Sequence, residues 1–290
     1  YQLMNEDELA DIHDLEINGG LQAGDPVDNS TSLLTQLKWT LQSTHGATTP
    51  SQRLCDDWNP YSRTLVLPDF LDLDRLSLIT SQPHDEVVLG WRGTIRCLNS
   101  MKKSGVLMAL EALCKMRSNV RIIFSVDHPE ALKQISLPAN QLEVVGWNAP
   151  GGWHKQLSRI DIGLSPIIGE LEQRNTCGSI LEYMALKIPW IASQGPAVYD
   201  FQSYGWIVEN TAEGWLKAVV ETVDYLDDYR AEASVAPYLY AISKSLEENT
   251  QTIVDTYVRL GSLYSTRPLS SQSTKPSGPL IVPNERGMEK

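Results

Sequence analysis

Two short stretches of the sequence collect residue types suited to holding a phosphate ester. The first, Gly90-Trp91-Arg92-Gly93-Thr94-Ile95-Arg96, follows an apolar run and is expected as a loop. Its glycines permit tight turning and close backbone approach. Arg92, Arg96, Lys102 and Lys103 fall between positions 92 and 103. Cations so grouped can pair with a diphosphate, and equally suit a solvated loop surface. The second stretch, Arg174-Asn175-Thr176-Cys177-Gly178-Ser179, enters a helical pattern over 180–185. Small polar residues at a helix start leave N–H groups that hold phosphate oxygens, or simply cap the helix. Glu182 is expected roughly two turns inside that helix, where a carboxylate accepts hydrogen bonds from ribose hydroxyls or stands exposed on the helix surface.

Other chemistries lack their residues. His13, His45, His84, His128 and His154 are far apart in sequence, and none has metal-ligand spacing. Cys55, Cys97, Cys114 and Cys177 form no CxxC pair, which argues against zinc and against a disulfide framework. There is no GxSxG, HExxH or P-loop, and no GxGxxG after a strand. Gly151-Gly152-Trp153 is expected in a loop and carries little signal of its own.

These residues are set among alternating elements. A helix is expected over 31–43, with Leu33, Leu34, Leu37 and Leu41 on one face. A strand at Leu65-Val66-Leu67 is stopped by Pro68. From residue 86 onward, apolar runs at 87–90, 120–124, 142–145, 161–165, 190–193 and 206–208 alternate with helical patterns at 105–116, 129–135, 153–160, 179–187 and 212–226. Such alternation implies βαβ crossovers and a Rossmann-like open parallel sheet of about six strands, with helices on both faces. A further amphipathic helix is expected over 240–260, and the Ser- and Pro-rich segment 263–290 is expected to be a disordered tail.

The net charge of −12 disfavours binding to a phosphate backbone, so no nucleic-acid partner is expected. No apolar run approaches the roughly 18–20 residues of a membrane span. The first residues are acidic where a secretory leader is basic, and together with the cysteine usage this points to a cytoplasmic setting.

In combination, these segments resemble the C-terminal, donor-binding domain of the GT-B glycosyltransferases, the group that includes sucrose- and glycogen-type synthases and many bacterial and phage enzymes. LVLPDFLDLDRL is similar to that family's interdomain segment, VVLGWRGT to its first strand and turn, and KKSGVLMALEAL to the stretch that follows. VRIIFSVD, LEVVGWNAP and LSRIDIGLSPI match the next three strand regions in order, and RNTCGSILEYMALKIPWIAS resembles the signature helix. Arg174 stands where the signature has its first glutamate, and Asn175 where it has glycine.

The resemblance implies a glycosyltransferase that uses a nucleotide-sugar donor, with an acceptor of unknown kind and no cofactor or metal. Lys102 or Lys103, with Arg92 or Arg96, would hold the diphosphate beside the Gly93–Thr94 turn. Asn175, Thr176, Cys177, Gly178 and Ser179 would supply backbone donors, and Glu182 would bind the ribose. It also implies an organisation: residues 1–53 as a remnant of an N-terminal domain, 54–84 as an interdomain segment, 85–226 as the nucleotide-sugar domain and 227–262 as a C-terminal helical segment. The body of the N-terminal domain would lie outside this stretch, on the same or another chain. A non-catalytic relative serving as a binding or assembly module is the alternative, and a sugar epimerase is disfavoured by the missing GxGxxG. Limited proteolysis should remove the chain beyond 265 without loss of the folded core; protection of that tail would reveal a docking segment instead.

Overall fold

The structure, a computed structural model, describes residues 33–265 apart from 82–83, 95–96, 128, 130–131, 133–134 and 147–151. Arg96, the greater part of the helix expected over 129–135, and the tail beyond 265 lie outside the described residues.

α1 (Leu33–Ser43) leads into β1 (Ala47–Thr49), α2 (Gln52–Trp58) and β2 (Thr64–Val66). Ser51 starts α2 because its Oγ accepts the Leu54 N–H at 3.2 Å, answering one of the donors that a helix start leaves unpaired. β1 and β2 pair in parallel as a small sheet of their own, which straddles the boundary expected at 53/54. α3 (Leu73–Ser77) follows, capped by Asp72, whose carboxylate accepts the Arg75 N–H at 2.9 Å.

The alternating runs become β3 (Val87–Gly93), β4 (Val120–Val126), β5 (Leu142–Gly146), β6 (Ile162–Ser165), β7 (Trp190–Ser193) and β8 (Trp206–Val208). They form one parallel sheet in the order β5-β4-β3-β6-β7-β8. α4 (Leu98–Lys103) and α5 (Val106–Met116) follow β3, and α6 (Gly152–Leu157) precedes β6. α7 (Glu170–Arg174) and α8 (Gly178–Ala185) link β6 to β7. α9 (Ala212–Asp224), α10 (Leu226–Ala233), α11 (Ala236–Ile242) and α12 (Leu246–Ser265) close the chain. This is the expected Rossmann-like arrangement, and its order reverses between β3 and β6, the place where such sheets open a crevice at their carboxyl ends.

Because successive strand residues point to opposite faces, each strand feeds two cores. Leu89 and Trp91 of β3, Leu164 of β6 and Ile191 of β7 pack with Leu110 and Leu113 of α5 and Trp215 of α9. Trp190 and Ala192 of β7 pack on the other face with Leu157 of α6 and Ile180 and Met184 of α8. Each such fully buried side chain stabilises the fold by roughly 1.5–3 kcal/mol.

Two expectations are corrected. The first stretch of interest is not a loop from Gly90: β3 runs on through Gly93, in register with Val126 of β4. The glycines there serve packing rather than turning, since a Cβ on Gly90 would lie 2.2 Å from Ile160 and one on Gly93 2.2 Å from the Trp91 ring. The single helix expected over 240–260 is instead the pair α11 and α12. Between them the chain pairs with Leu71, whose N–H donates to Lys244 O at 2.8 Å and whose carbonyl accepts from Leu246 N at 2.9 Å, and this fixes the break. α12 then continues to Ser265, past the expected start of the tail at 263. Among the described residues no helix is long and apolar enough to cross a membrane.

On β6, Gly163 has the Tyr183 ring of α8 lying directly over it, so an added Cβ would meet that ring at 2.4 Å. Tyr183 is fully buried and its hydroxyl donates to Gly90 O at 3.2 Å, so it has little room to retreat. Gly163→Ala should therefore lower stability by about 1–3 kcal/mol, read as a shift of the urea midpoint. A midpoint within error of the parent would mean that the ring is not held there.

Candidate active site at the sheet switch point

The carboxyl ends of β3 and β6 and the start of α8 converge on Glu182. α8 begins at Gly178, after Cys177, so Glu182 stands one turn inside the helix rather than two. The turn before it is set by Asn175, whose N–H donates to Glu172 O at 3.2 Å and whose side-chain oxygen accepts the Thr176 N–H at 3.0 Å. The N–H groups of Gly178 and Ser179, in the first turn, meet no acceptor among the described residues. A helix start of this kind favours an anion.

Glu182 is neither an exposed surface residue nor an open carboxylate. The Trp153 indole N–H donates to Oε2 at 2.7 Å, and Arg92 Nη1 approaches the two oxygens at 3.5 and 3.4 Å. His154 Nε2 lies 3.9 Å from Oε1, and the Arg92 guanidinium sits 5.9 Å over the Trp153 ring. The Glu182 side chain retains 16% of its exposure and Arg92 36%, so both stay partly accessible to solvent. A largely buried charge requires such partners, because removing it from water without them is costly.

The neighbouring backbone is fixed by a second set of bonds. Glu172 Oε2 accepts the N–H groups of Ile168 and Gly169 at 3.3 and 3.2 Å, and the Ser100 hydroxyl donates to the same oxygen. Ser193 Oγ accepts the Ile167 N–H at 2.7 Å and donates to Asn210 Oδ1 at 2.6 Å. The loop after β6 is thereby tied to α4 and to the ends of β7 and β8.

Of the residues singled out from sequence, Arg92 and Glu182 are brought into contact. Gly93 is buried at the end of β3, and Thr94 turns the chain by accepting the Cys97 N–H at 3.0 Å. Ser179 Oγ lies 3.5 Å from Ser165 Oγ and 3.6 Å from Cys177 Sγ, and burial pushes the Cys177 thiol up. Thr176 donates to Asp69, and Asn175 is exposed. Lys102 and Lys103 are exposed in the last turn of α4, and among the described residues neither forms an ion pair.

Trp153 and His154 were not foreseen. They sit at the start of α6, within the helical pattern expected over 153–160, although Trp153 was also grouped with a Gly151–Gly152 loop. Their only sequence signal is an aromatic and an imidazole directly after two glycines, and it is the reach of Trp153 to Glu182 and to the Tyr183 ring of α8 that gives them a role. Arg174 is also committed elsewhere. It pairs with Asp57 of α2 at 3.1 Å and with Glu170 at 3.7 Å, while its carbonyl accepts from Ser51. Arg53 Nη1 adds a bond to Gln173 O at 3.1 Å, so α2 is seated directly on α7.

Among solved structures, the chain is similar to a glycosyltransferase from Rickettsia africae, at 18% identity over 78% of this chain and 67% of that one, with a TM-score of 0.57. It is similar to HepE from Anabaena in complex with UDP and glucose, at 14% identity over 81% and 68%, TM-score 0.60. It is also similar to sucrose-phosphate synthase from Thermosynechococcus elongatus, at 13% identity over 83% and 65%, TM-score 0.57. The chain has the GT-B glycosyltransferase fold. It spans about two thirds of the length of each of these GT-B structures, and at such identities the likeness is one of fold. No protein-family model and no curated protein sequence matches it.

His154 supplies a test of this arrangement. Burial, the largest influence, lowers its pKa from 6.5; Glu182 opposes that, and Arg75 and Arg92 reinforce it. As pH falls, the unfolded chain therefore takes up this proton before the folded one. The associated stability is full above about pH 6.5 and declines as pH drops from there through the lower folded pKa. His154→Gln should flatten that part of the Tm-against-pH curve, and an identical slope in the variant would place the imidazole in water.

Proposed function

We propose that this chain is the donor-binding half of a glycosyltransferase that moves a sugar from a nucleotide diphosphate sugar to an acceptor. The observation that carries this reading is Glu182. A carboxylate is held one turn inside a helix whose first N–H groups meet no acceptor among the described residues, at the switch point of an open parallel sheet. In this reading Glu182 accepts from the ribose hydroxyls. The N–H groups of Gly178 and Ser179 meet the diphosphate, with Asn175, Thr176 and Cys177 shaping the approach. Arg92 lies on the same side and can turn from Glu182 to a phosphate oxygen, and Arg96, Lys102 and Lys103 add positive charge. HepE, which shares this fold, was solved in complex with UDP and glucose, and this supports a nucleotide as the ligand class.

In the reaction, the bond between the anomeric carbon and the diphosphate oxygen breaks and its electron pair stays on that oxygen. The acceptor oxygen forms the new bond, and its proton passes to the departing diphosphate oxygen. Donors already aimed at the departing diphosphate stabilise the charge that develops there, which is the main contribution this half of an active site can make. The acceptor site would come from a further N-terminal domain, of which β1, α2 and β2 are the adjoining part.

A second reading, a non-catalytic binding or assembly module, is favoured by Arg174. This residue stands at the first-glutamate position of the signature resemblance, and its guanidinium is occupied by Asp57 and Glu170.

Thermal-shift titration with UDP, GDP, ADP and CMP separates the two. A ligand that binds only the folded chain stabilises it by RT ln(1 + [L]/Kd) and so raises its Tm with the logarithm of its excess over Kd. One nucleotide should do so, and Glu182→Ala should weaken it by about 1–3 kcal/mol. Glu182→Gln retains an acceptor for Trp153 and controls for a general loss of structure. A cooperative melt with no nucleotide response favours the module, and an unchanged Kd in both variants removes Glu182 from the site.

A further inference from the structure

α9 turns Trp215, Ala218 and Val219 into the core, and on its opposite face it carries a groove of about 870 Å³. Glu213, Leu216, Lys217, Val220 and Asp224 of α9 line this groove. They recur at the three- and four-residue spacing of one helical face, so the groove follows α9 for about three turns, about 16 Å. Met116, at the end of α5, and Tyr225, at the joint of α9 and α10, complete its apolar part, and α10 adds Asp228, Tyr229 and Glu232.

Two properties of this groove occur together. Its apolar part is open to water: Met116 is 50% and Tyr225 60% exposed, and Leu216 and Val220 beside them are only half-buried. Apolar side chains left open side by side mark a surface that a partner covers. Its polar part has one sign, because the carboxylates of Glu213, Glu221, Asp224, Asp228 and Glu232 face Lys217 alone among the described lining residues. Two of these are occupied, Asp224 by Arg117 at 2.9 Å and Glu221 by the Tyr229 hydroxyl at 3.3 Å. Glu213, Asp228 and Glu232 are exposed and form no ion pair among the described residues.

Charge selects the occupant. An anionic lipid surface is repelled, and a second copy of a chain whose net charge is −12 meets an acidic face with an acidic surface. A helix with apolar side chains at i and i+4 and lysine or arginine on its flanks answers both properties. Its stripe covers Met116, Leu216, Val220 and Tyr225, and its cations reach the three free carboxylates. We propose that this groove docks a basic amphipathic helix of a partner protein. The inference does not depend on the donor-site reading, because the groove shares no residue with the Glu182 site.

The test uses the full chain and a fluorescein-labelled peptide of about 14 leucine and lysine residues, with its leucines at helical spacing, followed by fluorescence anisotropy. Two control peptides accompany it, one of the same composition in scrambled order and one with glutamate in place of lysine. The amphipathic basic peptide should bind, the scrambled one at least about tenfold more weakly, and the acidic one not at all. Met116→Gln with Tyr225→Ala, and separately Asp228→Asn with Glu232→Gln, should each weaken binding at least about tenfold. Asp74→Asn with Glu247→Gln removes the same charge from other exposed positions and should bind as the parent does. All of these side chains are exposed, so each variant should melt cooperatively near the parent temperature. The proposal is overturned if the basic peptide does not bind, if the scrambled peptide binds equally well, if the Asp74 and Glu247 changes weaken binding as much as the groove changes, or if both groove variants bind as the parent does. It is also overturned if sedimentation shows a dimer that both groove variants abolish, which would seat a second copy there.

Discussion

A parallel sheet buried on both faces governs this molecule. Each strand of β3–β8 must satisfy one helical layer with its odd residues and another with its even ones. The chain therefore has to leave each strand, cover a face and return in parallel. It can do this outward through β4 and β5 only until it must come back to the other side of β3 as β6. The reversal leaves a gap between the crossovers at the carboxyl ends of β3 and β6. The residues found at that place are Arg92, the loop of 166–169 and the start of α8. The crevice is thus a consequence of covering two apolar faces with one chain.

Charge burial is the second constraint, and it binds the elements to one another. Glu182 is kept by Trp153 and Arg92, which ties α6 and β3 to α8. Asp161 is 5% exposed; it accepts the Val88 N–H at 2.8 Å, pairs with Arg230 of α10 and lies 3.6 Å from His84. Arg174 reaches Asp57 and so fastens α2 to α7. In each case the cost of desolvating a charge is offset only if a group from a distant part of the sequence arrives in hydrogen-bonding range. These pairs fix relative positions that apolar packing alone would leave freer.

The two ends of the sheet carry different electrostatics. The carboxyl ends present helix-start N–H groups and Arg92, with Glu182 set among them. The amino ends of β7 and β8 present rings and carboxylates.

Periodicity in the sequence determined the elements. Apolar-rich runs such as Val87–Leu89 and striped segments such as Val106–Met116 each favour one burial pattern, and their order pointed to a parallel sheet. The signature stretch around Glu182 was legible because a helix start and a carboxylate lie close together in the chain. Tertiary structure decided what those residues touch. Gly90 and Gly93 look like turn formers in sequence but are strand residues, because Ile160 and the Trp91 ring fill the space a Cβ would take. The expected single C-terminal helix breaks because Leu71, far away in sequence, supplies backbone partners at 244–246. Trp153 and His154 join Glu182 only because tertiary packing brings α6 within side-chain reach of α8. The local pattern of a sequence fixes which groups a segment must bury. The identity of the partner across a long chain separation depends on how the layers close, and that is settled only when all of them are in place.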